Sequence, residues 1–185
     1  SIKNKESRFM KINFGHIELL ISDVDGVLTD GAIYVGNDGI ELKKFNVLDG
    51  AGVAIAKAAN LKIALISGRY SLATECRAKE LGILDVYNGL LNKIQAYDEL
   101  KSKYSLDDAN IAYIGDDLID LPVMEKVALP IATANAVNEV KKASKYVTTN
   151  PGGKGAFREA VSLIIEKQGR KDVVYNIMKE KISKD

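Results

Sequence analysis

Along this chain, apolar runs too short for helices alternate with stretches whose apolar positions recur every three or four residues. Residues 17–24 (IELLISDV), 62–67 (KIALIS), 83–87 (ILDVY), 111–116 (IAYIGD), 127–132 (VALPIA) and 146–149 (YVTT) have the length of strands. The near-continuous apolar ones suit a parallel sheet covered on both faces. Between them, residues 50–60, 71–82, 92–104, 118–127 and 135–144 carry helical spacing, with Asn60 and Gly82 as stop signals. The alternation predicts an α/β fold, an open, doubly wound parallel sheet with right-handed crossovers.

One segment departs from that rhythm. Residues 32–45 (AIYVGNDGIELKKF) place two strand-like arms around Asn37-Asp38-Gly39, a strong hairpin signal inserted after the first strand. Ile33, Val35, Ile40, Leu42 and Phe45 would leave such an arm partly uncovered, so it folds onto its own domain or meets another subunit. The tail, residues 169–185, carries Val173, Val174, Ile177 and Met178 at helical spacing, as a docking helix or a frayed end.

Composition narrows the setting. A length of 185 residues suits one domain over 1–185, and 46% hydrophobic with 28% charged residues is ordinary for a soluble globular protein. A net charge of +1 argues against a nucleic-acid partner, which calls for a strongly basic face. The lone Cys76 cannot form an internal disulfide, which points to a reducing, cytoplasmic location. No apolar run approaches the ~18 residues of a membrane helix. Residues 1–16 lack the apolar core of an export signal.

The chemistry lies in carboxylates at strand ends. Ligands of open α/β sheets bind at the carboxyl ends of strands. Asp23 ends the first strand with Asp25 beside it, and Asp116 ends another, followed by Asp117 and Asp120. If those strands are neighbours, the carboxylates repel one another unless a cation joins them, and an all-oxygen set suits Mg²⁺. Ser67 sits at a strand-to-helix turn, where backbone N–H groups favour an anion, and Lys93 begins a helix as a point cation. Together these groups can run phosphoryl transfer through an aspartyl-phosphate. His16, the sole histidine, precedes the first strand and reads as structural. PGGKGA (151–156) lacks the Ser or Thr that a P-loop needs after its lysine, and reads as a turn capping a helix. EVKKASK (139–145) reads as a solvated helix face.

DxDGV at 23–27, Ser67, Lys93 and GDDxxD at 115–120, in that order, resemble the haloacid dehalogenase-like phosphatases. The resemblance implies a Rossmann-like sheet with Asp23 as nucleophile and Mg²⁺ ligand, and Asp25 as acid and base with its backbone carbonyl on the metal. It makes Asp116 the third protein ligand and Ser67 and Lys93 the phosphoryl holders, with Asp117 and Asp120 supporting metal-bound water or Lys93. Only one helix and one strand fit between Ser67 and Lys93, so no cap domain is expected there.

At finer grain, DVDGVLTDG, GIELKKFNVLDGAG, ALISGR, YIGDDLIDLPVMEKV and YVTTNPGGKGAFREA resemble the capless 3-deoxy-D-manno-octulosonate 8-phosphate phosphatases of lipopolysaccharide biosynthesis. That resemblance implies a phosphorylated sugar acid as substrate and a homotetramer built by the hairpin, with the C-terminal segment closing a neighbour's site. It maps substrate contacts to Asn46, Val47, Leu48, Asp49 and Gly50, with Arg69 and Arg77 as further candidates. The alternative for Arg77 is a solvated helix position. Leu48 and Ala54 stand where many relatives carry arginine, which keeps a nonulosonate 9-phosphate open as substrate. A non-catalytic assembly module is the reading from another class.

Overall fold

The six expected strands appear as β1 (Leu19–Ser22), β4 (Lys62–Ser67), β5 (Asp85–Asn88), β6 (Ile111–Gly115), β7 (Leu129–Ala132) and β8 (Tyr146–Val147). They form one sheet in the order β5-β4-β1-β6-β7-β8, and every pairing is parallel. The computed structural model describes residues 12–183; residues 1–11, most of the segment read for an export signal, and 184–185 lie outside the described residues.

β1 lies at the centre because it is apolar on both faces. Leu20 joins Leu65, Ala112 and Ile114 in one core, while Leu19 and Ile21 join Ile66 and Tyr113 in the other. The first face is covered by α1 (Val47–Ala58), α2 (Leu72–Glu80), α6 (Ala156–Lys167) and α7 (Lys171–Ile182). The second is covered by α3 (Lys93–Tyr104), α4 (Leu121–Met124) and α5 (Asn138–Ala143). This is the expected double winding. α1 and α2 end at the expected stops, where Asn60 and Gly82 adopt left-handed backbone (φ 53° and 60°).

The helices expected over 118–127 and 135–144 are shorter than their apolar spacing suggests. The first becomes a 3₁₀ turn, Leu118–Asp120, followed by the single turn of α4, because Asp120 must swing inward to a buried lysine. The second starts only at Asn138, because Asn135 is held elsewhere: it donates to Gly26 O (3.1 Å) and accepts from Gly152 N–H (2.6 Å).

The hairpin is present as β2 (Tyr34–Val35) paired antiparallel with β3 (Glu41–Leu42), closed by Gly39 N–H to Gly36 O (3.0 Å). Asp30 accepts from Ala32 N–H (3.1 Å) at its entrance. Ile33, Val35, Ile40 and Leu42 are all more than half exposed, while Phe45 packs against the core. The tail resolves as a docked helix: Val174 is fully buried, and Tyr175, Ile177 and Met178 pack on the first-face core. Val173, the other apolar position named in the tail, stays exposed. Among the described residues, no helix is long and apolar enough to cross a membrane.

Candidate active site

The registers of β1 with β4 and β6 bring the carboxyl ends of three strands together. Asp23, Ser67 and Asp116 therefore stand at one edge of the sheet, where Asp23, Asp116 and the two residues after Ser67, Gly68 and Arg69, line an open cavity of about 430 Å³. Asp23 is buried as it leaves β1: its N–H donates to Ile114 O (3.0 Å), and its Oδ1 accepts from Val24 N–H (2.7 Å). Lys93, the first residue of α3, is also buried and places Nζ 2.9 Å from Asp23 Oδ1.

Asp120 anchors that lysine from beneath. Its Oδ1 accepts from Lys93 Nζ (2.7 Å) and Tyr113 OH (2.6 Å), and its Oδ2 from the N–H groups of Asp116 (2.9 Å) and Asp117 (3.2 Å). A Cβ on Gly115 would lie 2.4 Å from Asp120 Oδ2, so glycine here is what lets the carboxylate tuck under the strand end. Burial opposes the charge on Lys93, but Asp23 and Asp120 outweigh it and hold the amine above its ordinary range.

The carboxylates lack that balance. Burial first, then the Asp120 charge, push Asp23 up to about 7 against the pull of Lys93. Burial, followed by Asp23, Asp120 and Asp117, pushes Asp116 up to about 8. One lysine is too little cation for this much negative charge, so the donor set fits a hard divalent ion. Oxygens of Asp23, Asp116 and Asp120 all lie within 4.8 Å of one another. Asp120 is nonetheless the weakest ligand of the three, since both its oxygens are engaged by the donors just named.

The structure brings Asp25, Arg69 and Asp117 to the same cavity. Ser67, buried at the end of β4, donates Oγ–H to Arg69 O (2.9 Å), and Asp117 accepts from Leu118 N–H (2.7 Å) as the cap of the 3₁₀ turn. Gly26 (φ 81°) makes the turn after Asp25; a Cβ there would fall 2.0 Å from Asp116 Oδ2. The glycine-rich loop is, as expected, a turn that starts a helix, and it lies against this turn. Gly153 N–H donates to Val27 O (2.9 Å), and a Cβ on Gly152 would meet Gly26 O at 1.9 Å.

The segment expected to contact substrate lies outside this cavity. Asn46 caps α1, accepting from Leu48 N–H (2.9 Å), and donates to Gly153 O (2.9 Å). Val47 and Leu48 are exposed to solvent. Asp49 is buried, and its oxygens cap α6 by accepting from Gly155 and Arg158 N–H (3.2 Å each). Gly50 lies beneath Arg77, which pairs with Glu80 (2.8 Å) and sits over the Phe45 ring. Arg77 is thus mostly covered, and it lies outside the cavity its own chain lines. His16 is exposed before β1, at the other end of that strand from Asp23.

Sequence reasoning missed Lys43, Glu41 and Tyr113. Lys43 Nζ lies 2.5 Å from Asp25 Oδ1 with its side chain 1% exposed, and Glu41 pairs with Arg69. The signal was the polar half of the strand alternation: Glu41 and Lys43 point one way while Leu42 points the other.

Comparison with known proteins agrees with this geometry. The family described as haloacid dehalogenase-like hydrolase matches residues 56–159. The 3-deoxy-D-manno-octulosonate 8-phosphate phosphatase KdsC of Salmonella typhi is 48% identical over 157 residues, 85% of this chain and 84% of that protein. The crystal structure of the phosphatase of that name from Yersinia pestis superposes with a TM-score of 0.84 at 43% identity, covering 90% of this chain and 88% of the other. The corresponding Moraxella catarrhalis phosphatase, solved with magnesium ion, phosphate ion and KDO, superposes with a TM-score of 0.87 at 35% identity, covering 96% and 99%.

Proposed function

The chain belongs to the haloacid dehalogenase-like hydrolases, and from that premise we propose that it is a Mg²⁺-dependent phosphatase of 3-deoxy-D-manno-octulosonate 8-phosphate. The observation that carries the reading is the Asp23 carboxylate. It is buried at the end of the central strand against Lys93 and lines an open cavity with Asp116. A scaffold protein has no use for that arrangement.

In this reading Asp23 attacks phosphorus, forming an aspartyl-phosphate (an acyl phosphate) as the bond to the sugar oxygen breaks. Asp25 gives the departing alkoxide a proton and then takes one from the water that hydrolyses the acyl phosphate, which releases inorganic phosphate and restores Asp23. Lys93, already poised on Asp23 Oδ1, and Ser67 with the backbone that follows it hold the phosphoryl oxygens. Mg²⁺ would be held by Asp23, Asp116 and the backbone carbonyl of Asp25, and it supplies countercharge to the transferring group. Arg69 lines the cavity as the cation for a sugar-acid carboxylate.

The exposed hairpin residues support a homotetramer, in which Val47, Leu48 and Arg77 would serve a neighbouring protomer's site. A cytoplasmic location follows from the same pathway. Leu48 and Ala54 in place of arginine favour one second reading, a nonulosonate 9-phosphate as substrate. Phosphate release from both esters with Mg²⁺, run beside Asp23→Asn, is the test. The variant is expected to keep wild-type circular dichroism and lose turnover. Turnover retained in it would remove Asp23 as nucleophile.

A further inference from the structure

Lys43 is a buried ammonium that the reaction just described does not use. A lysine with 1% of its side chain exposed needs a compensating charge, and it finds one at Asp25, 2.5 Å away. The contact spans 18 residues and joins the inserted hairpin to the turn after β1. It belongs to a closed ring of charges. Asp25 Oδ2 lies 3.8 Å from Arg69 Nε, Arg69 pairs with Glu41, and Glu41 lies 4.0 Å from Lys43. Arg69 is committed to Glu41 and stands 3.8 Å from Asp25, so within the ring the close contact to Asp25 is the one from Lys43.

We propose that Lys43 is a positioning residue for Asp25: by holding Oδ1 it aims Oδ2 at the leaving-group oxygen and, later, at the attacking water. Asp25 sits on a turn with 29% of its side chain exposed, where an unheld carboxylate samples several rotamers. Proton transfer requires one oxygen within about 2.6–3.2 Å of the reacting group. With Oδ1 engaged by Lys43, Oδ2 is the oxygen that carries the proton. It passes that proton to the alkoxide as the P–O bond breaks and accepts one from water in the second step. The inner face of the hairpin is thereby part of the reaction's geometry, whatever its outer face meets.

This inference rests on the phosphatase reading, and leaving-group chemistry separates the two. An alkyl phosphate needs a proton on its departing oxygen, whereas p-nitrophenolate leaves without one. The test measures the single-turnover phosphorylation rate of Lys43→Met on 3-deoxy-D-manno-octulosonate 8-phosphate, or any alkyl phosphate the wild type accepts, and on p-nitrophenyl phosphate. The variant is expected to fall at least ~10-fold on the alkyl ester, a part of the ~10²–10⁴-fold that general acid catalysis supplies, with little change on the aryl ester. Asp25→Asn carrying Lys43→Met should be no slower than Asp25→Asn alone, and Lys43→Arg should recover part of the alkyl rate. Equal losses on both esters, or losses that multiply with Asp25→Asn, would overturn the assignment. If Lys43→Met does not fold, Lys43→Gln carries the same comparison. If wild type accepts other alkyl phosphates but refuses the octulosonate ester, the substrate reading falls and Lys43 is still decided. If it hydrolyses no phosphate ester, both fall.

Discussion

Asp23 and Asp116 sit so close to each other and to Asp120 that burial and mutual repulsion move them to about 7 and about 8, from 3.8. Linkage turns this into a measurable property. Between pH 4 and 8 the folded protein keeps protons that the unfolded chain has released, so without divalent cation stability falls as pH rises across that window. Above pH 8 the full penalty is in place. A cation that binds only the folded state offsets the repulsion. Thermal melts in EDTA should therefore decline from pH 5 to 8.5, and Mg²⁺ should raise the midpoint more at pH 8 than at pH 5.5. A cation-free melt flat across that range would mean the carboxylates are not crowded as described. The sequence displayed these residues plainly, since aspartates closing apolar runs have few structural uses. It could not display Asp49, whose partners Gly155 and Arg158 lie more than a hundred residues away.

At the scale of elements, the strands were legible because a sheet covered on both faces demands unbroken apolar runs, and β1 shows the demand at its strictest. Helix lengths were less legible. Apolar spacing extended the helices over 118–127 and 135–144, but Asp120 and Asn135 leave the helical path to reach Lys93 and Gly26. A site's tertiary contacts override local periodicity at its own edge. The hairpin was visible from its turn, yet only its apolar half was interpreted, and Lys43 went unnoticed. Its exposed Ile33, Val35, Ile40 and Leu42 are proposed to meet other protomers. Sedimentation at micromolar concentration should give a tetramer for the wild type and smaller species for Val35→Asp with Leu42→Asp. A wild-type monomer would reassign the hairpin to its own active site alone.

For the whole molecule, a parallel sheet presents three strand ends at one edge, where Lys93 holds Asp23 and Lys43 holds Asp25. No domain covers the cavity among the described residues, so selection among substrates rests on few groups: Arg69, the hairpin, and whatever a neighbouring protomer adds. That makes substrate preference the sharpest consequence of the account. The direct measurement is kcat/KM with Mg²⁺ for 3-deoxy-D-manno-octulosonate 8-phosphate beside a nonulosonate 9-phosphate and simple hexose phosphates. A preference of at least ~100-fold for the octulosonate ester is expected, since a site built to pair a substrate's polar groups discriminates strongly against analogues that leave them unpaired. Flat values across the panel, or no phosphate released from any of them, would contradict it.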